Sequence, residues 1–265
     1  GYDNKGSSII FKTLKTGKVN ALLLKLFVGV EKSPFMLGFE NGVHLFISNQ
    51  TISPSSTDSI TVKPGTVTYI SLKKVFTRKE PAPYSSCQSD ISLAKADNTF
   101  YKATFESGYE YEQKSCVDLC TQSYLIGKCQ CADAQYPTLY GTPYCKRLNE
   151  TTCLYFRLLE FYLYNEYSKC YDYCPLECSS QAFTTKISSV QYPDESFASL
   201  LVNNTWMKRR FARLNLSMSQ ENMEKSMAMV YVYFEDNKYT LITETPAQSS
   251  VPRTVWYPTP GRSLT

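Results

Sequence analysis

Cysteine is the residue type in this sequence whose number and spacing point most directly to chemistry. The chain contains ten cysteines among its 265 residues; nine lie between Cys116 and Cys178, and Cys87 lies alone upstream. An even number of cysteines concentrated in one segment is typical of a disulfide framework formed in an oxidising compartment. Zinc sites usually show repeated C-x2-C pairs, whereas the pairs here have C-x3-C and C-x-C spacing. Disulfides are therefore the favoured interpretation.

The spacing of the cysteines also suggests a way of pairing them. Cys116 and Cys120 are four residues apart, so they share one face of a helix, and the same spacing recurs at the end of the segment. If the two helical segments run antiparallel, a nested ladder is favoured: Cys116–Cys174, Cys120–Cys170, Cys87–Cys178, Cys129–Cys153 and Cys131–Cys145. Ten cysteines allow many other connectivities, and spacing alone does not decide among them. Such a ladder would form a rigid rod, in which each disulfide stabilises the fold by roughly 2–4 kcal/mol.

The remaining reactive side chains give little support to an enzyme. The single histidine, His44, lies in a predicted strand, where a partly buried structural role is expected. The sequence contains no G-x-S-x-G, phosphate-loop or H-E-x-x-H motif. The carboxylates of Asp194 and Glu195 begin a predicted helix, where the helix dipole accounts for them. We therefore expect no catalytic site, no metal and no cofactor.

Composition and charge exclude several other classes of protein. Hydrophobic residues make up 43% of the chain and charged residues 20%, which is not the composition of a disordered or collagen-like protein. The net charge is +4, and the longest basic run is the three residues 208–210. So short a run gives little support to nucleic-acid binding.

The elements that must position the cysteines alternate between strand-like and helix-like patterns, which predicts an α+β fold. The strand-like segments are rich in β-branched and aromatic residues and are bounded by turn formers; they are 21–28, 43–48, 67–72, 181–190 and 227–234, with 239–243 extending the last one past a bulge. Helical periodicity is found at 100–128, 153–173 and 193–216. Two prolines within 81–84 break the chain before the cysteine-rich segment.

The sequence offers no membrane-spanning segment and no secretory leader. No run approaches the ~18 uninterrupted apolar residues that indicate a membrane helix. The N-terminal residues contain no apolar core of a signal peptide. We expect the chain to be a fragment of a longer protein, and we expect the polar, proline-rich residues 247–265 to be a disordered or aberrant tail.

The spacing C-x3-C-x8-C-x-C at residues 116–131 resembles the signature of the degenerin/epithelial sodium channel family. Other segments agree with it: P-A-P-Y at 81–84 before Cys87, P-Y-C at 143–145, the C-x3-C-x3-C at 170–178, and M-V-Y-V-Y-F-E at 229–235. The resemblance covers about residues 20–245. One departure is Lys114, which stands where the family usually has Glu, Gln, Thr or Phe.

The resemblance implies a disulfide-rich ectodomain of a trimeric channel subunit, which the family likens to a hand. The expected parts are β-ball and palm strands at 1–86, a disulfide-laddered helical thumb at 87–182, a palm strand at 183–193, a knuckle helix at 194–218 and the last palm strand at 219–246. The membrane helices that carry the pore and the amiloride site are absent from this segment.

The resemblance also implies a function and a location. The full-length protein would be a voltage-insensitive, ligand- or stimulus-gated sodium channel subunit at the plasma membrane, with its ectodomain on the extracellular face. Its partners would be sodium ions, the other subunits of a homo- or heterotrimer and, as one option, an extracellular peptide ligand bound by the tyrosine-rich thumb. The alternative is a secreted cysteine-rich binding module that lacks a pore.

Several single residues acquire expected roles from the same resemblance. Tyr84 matches an aromatic position at the base of the thumb, where a role in coupling thumb movement to gating is expected; the alternative is a packing aromatic after a proline-rich turn. Glu235 matches an acidic position on the last palm strand of acid-sensing members; the alternative is an exposed strand carboxylate without a role in gating. Among the four N-x-S/T sequons, those at Asn149 and Asn203 lie where glycosylation is expected.

Most of the positions that the resemblance assigns to proton binding in acid-sensing relatives are not acidic in this chain. The two thumb positions are Tyr155 and Leu159, and the second palm position is Thr240. Glu160 is one residue late, which on a helix turns it by about 100° from the required face. Glu235 is then the one remaining carboxylate of the set. We therefore expect a channel that protons do not open between pH 7 and pH 5.

Overall fold

The computed structural model describes residues 15–29, 41–49, 51–53, 55, 58–89, 99–106, 109–137 and 141–245. The expected tail at 247–265 lies outside these residues, as do parts of the first expected region, 1–86. Within the described ranges, no helix is both long enough and apolar enough to cross a membrane.

The described residues form six strands, seven α-helices and one short 3-10 helix (Lys18–Asn20), which confirms the α+β class. The strands are β1 (Leu22–Phe27), β2 (Val43–Phe46), β3 (Ser59–Val62), β4 (Thr66–Arg78), β5 (Ser179–Gln191) and β6 (Met227–Thr243). The helices are α1 (Thr99–Glu106), α2 (Gln113–Cys129), α3 (Leu148–Leu163), α4 (Tyr167–Tyr173), α5 (Glu195–Leu201), α6 (Thr205–Arg213) and α7 (Gln220–Ser226).

The main sheet has four strands in the order β1-β6-β4-β5. Strand β4 pairs antiparallel with β5 along its whole length and parallel with β6. Strand β1 adds to the other edge of β6 in antiparallel fashion. The β4–β6 register shifts between Leu72 and Lys74, so 227–234 and 239–243 belong to one strand interrupted by a bulge, as the sequence pattern predicts.

Alternate residues of β4 and β6 point to opposite faces of the sheet, and each face has its own core. One face, with Met227 and Met229, packs against helices α5, α6 and α7. The other face, with Ala228 and Val230, packs against the small hairpin formed by β2 and β3. Because side chains alternate along a strand, these four consecutive residues of β6 serve both cores.

The region predicted as one helix at 194–218 is two helices, and the segment predicted as strand from 219 begins with a third. Asn204 interrupts the first helix, because its Oδ1 accepts hydrogen bonds from the backbone N–H groups of Trp206 and Met207 and so caps α6. Ser219 caps α7 in the same way, by accepting from the backbone of Asn222. These local side-chain caps set the helix boundaries.

The helical pattern at 100–128 is likewise divided, into α1 and α2. The residues just before α2 bond to other parts of the fold: the backbone N–H of Glu110 donates to the Thr51 carbonyl, and the Tyr111 hydroxyl donates to the Pro175 carbonyl. Glu112 has an extended backbone. Periodicity could not predict this break, because the partners come from distant segments.

Phe211 provides a test of the core between the sheet and the helices. Its ring is fully buried and meets the Phe27 ring edge-on, with centroids 5.3 Å apart. We expect Phe211→Ala to lower the free energy of unfolding by about 3–5 kcal/mol, because it removes a ring and leaves a cavity. The measurement is denaturant unfolding of the full chain under non-reducing conditions. Leu200→Ala, at an exposed position of α5, should change stability by no more than about 0.5 kcal/mol. Similar losses in both variants would contradict the assignment of Phe211 to the core.

Candidate functional site

Five disulfides bridge residues 87–178, which we call the cysteine-bridged hairpin. They join Cys87 to Cys178, Cys116 to Cys174, Cys120 to Cys170, Cys129 to Cys153 and Cys131 to Cys145. The paired Cα atoms lie between 4.9 Å and 5.9 Å apart, within the range that a disulfide requires. The structure thus has the nested pairing of an antiparallel ladder.

Helix α2 is the central element of the cysteine-bridged hairpin. Its first half is joined to α4 through Cys116 and Cys120, and its last residue, Cys129, is joined to Cys153 of α3. Its buried side chains extend from Ser115 to Leu125. Helices α1, α3 and α4 surround α2, so it is held both by covalent bonds and by packing.

A left-handed residue separates the two disulfides at the end of α2. Gln130 caps the helix with φ 60°, and its backbone N–H donates to the Ile126 carbonyl. This conformation ends the helix and turns the chain. Cys129 therefore faces α3, while Cys131 reaches Cys145 in the following loop.

Gln122 holds this loop against α2 from inside the hairpin. Its side chain is fully buried. The Oε1 atom accepts from the backbone N–H of Asp133, and Nε2 donates to the carbonyls of Asp133 and Tyr136. A buried amide whose donor and acceptor are both used in this way fixes the path of the backbone.

The base of the cysteine-bridged hairpin is part of the main sheet. Arg78 is the last residue of β4 and pairs with Ser179, the first residue of β5. The Cys87–Cys178 disulfide closes the chain next to this pair, and the backbone N–H of Lys79 donates to the Cys178 carbonyl. The hairpin is therefore a long insertion between two residues that face each other across paired strands.

The loop between β2 and β3 contacts the first turns of α2. The Ser55 hydroxyl donates to the Asp118 carboxylate at 2.7 Å, and the Lys114 ammonium lies 2.6 Å from Asp58 Oδ1. Burial raises the pKa of Asp118, while the hydrogen bond from Ser55 opposes that rise. Lys114, which departs from the family signature, thus forms an ion pair that ties the loop to the hairpin.

Glu112 and Glu177 form an acidic pair at the start of α2 that the sequence analysis missed. Glu177 accepts a hydrogen bond from the backbone N–H of Gln113. Burial raises the pKa of Glu112 to about 7, and the neighbouring Glu177 carboxylate adds to the effect. The antiparallel register that pairs Cys116 with Cys174 also brings residues 112 and 177 together. The proximity of these two carboxylates could therefore have been predicted from the cysteine spacing.

No metal centre is visible in the part of the chain that the structure describes. Within those ranges, no group of three or more His, Cys, Asp or Glu side chains is arranged to hold a metal ion.

The two expected coupling residues lie apart from this acidic pair. Tyr84 follows the proline turn between β4 and Cys87, and its side chain is 63% exposed. Glu235 lies on β6 and pairs with Lys186 of β5 at 2.8 Å. The hydrogen bond from Lys186 holds the pKa of Glu235 below its ordinary value.

The expected glycosylation sites are both exposed. Asn149 lies in the first turn of α3, and Asn203 lies in the turn between α5 and α6.

Helix α3 carries the two positions that the resemblance assigns to proton-binding carboxylates in acid-sensing relatives. Tyr155 and Leu159 are exposed, and Glu160 pairs with Arg157 at 2.6 Å. The tyrosines proposed from the sequence as a peptide-binding surface are also exposed on α3, α4 and the turn between them; they are Tyr162, Tyr164, Tyr167, Tyr171 and Tyr173.

The first prediction at this site concerns Gln122. We expect Gln122→Leu to lower the free energy of unfolding by about 2–4 kcal/mol, because the buried backbone groups of Asp133 and Tyr136 lose their partners. Thermal denaturation of the oxidised chain measures this loss. Gln135→Leu, an exposed substitution in the same loop, should change stability by less than about 0.5 kcal/mol. An unchanged melting temperature in Gln122→Leu would contradict the structural role.

The second prediction concerns the pH dependence caused by Glu112. Its folded-state pKa of about 7 lies above its ordinary 4.5, so the folded chain holds this proton more tightly than the unfolded chain. Its contribution to stability therefore falls as the pH rises between those values. Glu112→Gln should stabilise the chain at pH 8, by no more than about 1 kcal/mol at this half-exposed site, and the difference should vanish near pH 4.

Melting temperatures of both chains across that pH range measure this difference. Glu244→Gln, at an exposed position directly after β6, is the control and should change stability by no more than about 0.5 kcal/mol. A Glu112→Gln chain that is less stable at pH 8 would reverse the assigned sign.

Comparisons with known proteins agree with this arrangement. A model of the amiloride-sensitive sodium channel family matches residues 3–252. The chain is 24% identical over 253 residues to the epithelial sodium channel subunit gamma of Rattus norvegicus, covering 94% of this chain and 37% of that protein. It is 24% identical over 233 residues to the epithelial sodium channel subunit beta of Aquarana catesbeiana, covering 86% of this chain and 81% of that protein. It is 25% identical over 234 residues to the epithelial sodium channel subunit alpha of Neoceratodus forsteri, covering 84% of this chain and 32% of that protein.

The family model matches nearly the whole length of a chain that contains the cysteine-bridged hairpin. The chain therefore belongs to the amiloride-sensitive sodium channel family.

Proposed function

We propose that this chain is the ectodomain portion of a voltage-insensitive, stimulus-gated sodium channel subunit, and that it converts an extracellular signal into opening of a pore. The observation that carries the proposal is the insertion of the cysteine-bridged hairpin between Arg78 and Ser179, two paired residues of the main sheet. A rigid arm rooted in a sheet can transmit a displacement from its far end to its base.

The disulfides support the arm-like behaviour of the hairpin. Three disulfides join α2 to α3 or to the region of α4, a fourth joins Cys131 to Cys145 in the loop after α2, and Cys87–Cys178 closes the base. Because the helices cannot slide past one another, a force on α3 or α4 reaches β4 and β5. Strand β6 pairs in parallel with β4, so the same displacement reaches Thr243 at its end.

The remaining parts of the channel belong to the longer protein in this proposal. The chain spans 37% of the rat gamma subunit that it matches. We propose that membrane helices elsewhere in the subunit supply the pore, that the subunit joins others in a homo- or heterotrimer, and that this ectodomain faces the exterior of the plasma membrane. Exposed Asn149 and Asn203 are the proposed carriers of N-linked glycans.

The charges of the described residues favour a stimulus other than protons. Neither Tyr155 nor Leu159 carries a carboxyl group. Glu235 is held as a carboxylate by Lys186. Glu112 does titrate near neutral pH, but steep gating needs several coupled groups. We propose opening by a peptide or by force, with a shallow modulation by pH through Glu112; the alternative is a channel that is open constitutively.

The proton prediction is tested on the full-length protein expressed in oocytes. We expect a sodium current that amiloride blocks, with no rapidly activated component when the pH falls from 7 to 5. Glu235→Gln should leave the pH response unchanged, because Glu235 remains ionised over this range. A steep acid-evoked current that disappears in Glu235→Gln would overturn the proposed insensitivity.

The coupling role of Tyr84 provides the second functional prediction. Its ring is exposed on the turn at the base of the hairpin. It is therefore available to contact a neighbouring part of the full-length channel. We expect Tyr84→Ala to reduce the open probability in single-channel recordings, with surface expression unchanged. Tyr171→Ala removes a similarly exposed ring from α4 and should leave the open probability unaltered. Equal effects of the two substitutions would contradict a specific role at the base.

A further inference from the structure

An apolar cavity of about 390 Å³ lies between the main sheet and the helices that cover one of its faces. Its floor is formed by β1 and β6, through residues including Phe27 and Met227. Its walls come from Tyr192 and from helices α5 and α6, with Phe197 and Trp206. The volume falls within the range of small-molecule sites, and the cavity is separate from the cysteine-bridged hairpin.

The walls of the cavity are held in place by the surrounding core. Phe27 packs edge-on against the buried Phe211, and the Tyr192 ring lies 5.8 Å from the Phe197 ring. Trp206, which is half-exposed, also contacts Arg210, whose guanidinium carbon lies 4.9 Å from the centre of the indole ring. These ring contacts line up the aromatic walls of the cavity, and the buried core supports its floor.

The polar groups of the cavity offer hydrogen-bond donors. Lys25 of β1 lines the cavity, its side chain is exposed, and within the described residues no hydrogen bond or ion pair occupies its ammonium group. Asn204 also lines the cavity, and its Oδ1 is already used by the backbone N–H groups of Trp206 and Met207. The available part of the Asn204 side chain is therefore the Nδ2 donor.

We propose that this cavity binds a small amphipathic carboxylate, with its apolar part among the aromatic side chains and its carboxylate on Lys25 and Asn204. A carboxylate accepts from both donors and neutralises the ammonium group. An apolar amine would place a second cation beside Lys25, and a neutral alcohol would leave the ammonium without a counterion. The expected order of affinity is therefore carboxylate, then alcohol, then amine.

The test uses the full chain and the fluorescence of Trp206. The sequence contains two tryptophans, so Trp256→Phe leaves Trp206 as the single reporter. Octanoate, octanol and octylamine share one apolar tail and differ in charge. We expect octanoate to shift the Trp206 emission to shorter wavelength and to protect it from acrylamide in a saturable manner. Octanol should bind about 3- to 10-fold more weakly, and octylamine more weakly still.

Two substitutions assign the charge preference to the named donors. Lys25→Gln should remove the preference for octanoate over octanol, whereas Lys63→Gln, an exposed lysine on another surface, should retain it. Asn204→Asp keeps the oxygen that caps α6 but replaces the donor with a carboxylate, so it should weaken octanoate binding without lowering the melting temperature. Asn237→Asp, exposed on β6, is its control.

Each outcome bears on the proposal. A saturable preference for octanoate that Lys25→Gln removes, together with weaker octanoate binding in Asn204→Asp, supports it. Equal binding of the three ligands, a preference retained in Lys25→Gln, or no saturable change in Trp206 emission would overturn it. Unchanged melting temperatures show that a loss of binding does not result from misfolding.

Discussion

The pairing of Arg78 with Ser179 at the end of β4 and β5 is the constraint on which the rest of this structure depends. The chain leaves the sheet after Arg78 and returns to it at Ser179. The Cys87–Cys178 disulfide fixes this exit, so the cysteine-bridged hairpin has one orientation relative to the sheet. Strand β4 lies between β5 and β6 in the sheet. The junction at Arg78 and Ser179 therefore fixes the position of the hairpin relative to all three strands.

Inside the hairpin, covalent and polar interactions perform different tasks. The disulfides limit how far the helices can separate or slide, but a disulfide by itself does not fix the path of a loop. The buried amide of Gln122 does so between α2 and residues 133–136, because it satisfies backbone groups that water cannot reach. At the base of the hairpin, burial is unfavourable for a charged group. Glu112 lies beside Glu177, and burial together with this neighbouring carboxylate raises the pKa of Glu112 to about 7. The hairpin thus combines five disulfides with a carboxyl group at its base whose pKa is raised by burial.

The sequence alone determined the α+β class, the family and the positions of most strands. The information came from local patterns: β-branched runs in β4 and β6, and cysteines four residues apart in α2. It also favoured the nested disulfide ladder, because the two C-x3-C faces match when their helices run antiparallel. These features depend on neighbouring residues or on one periodic repeat, so a linear sequence records them directly.

The tertiary structure decided the features that depend on residues far apart in the chain. The break before α2 arises because the backbone of Glu110 and the hydroxyl of Tyr111 bond to Thr51 and Pro175, so the helical pattern there is overridden. Burial raises the pKa of Glu112, and the carboxylates that add to this rise include Glu177, 65 residues further along the chain, and Asp58, in the loop before β3. The cavity beside Trp206 is bounded by two strands and two helices that no local pattern brings together. Burial and electrostatic environment are properties of the packed chain, and for that reason only the folded structure defines them.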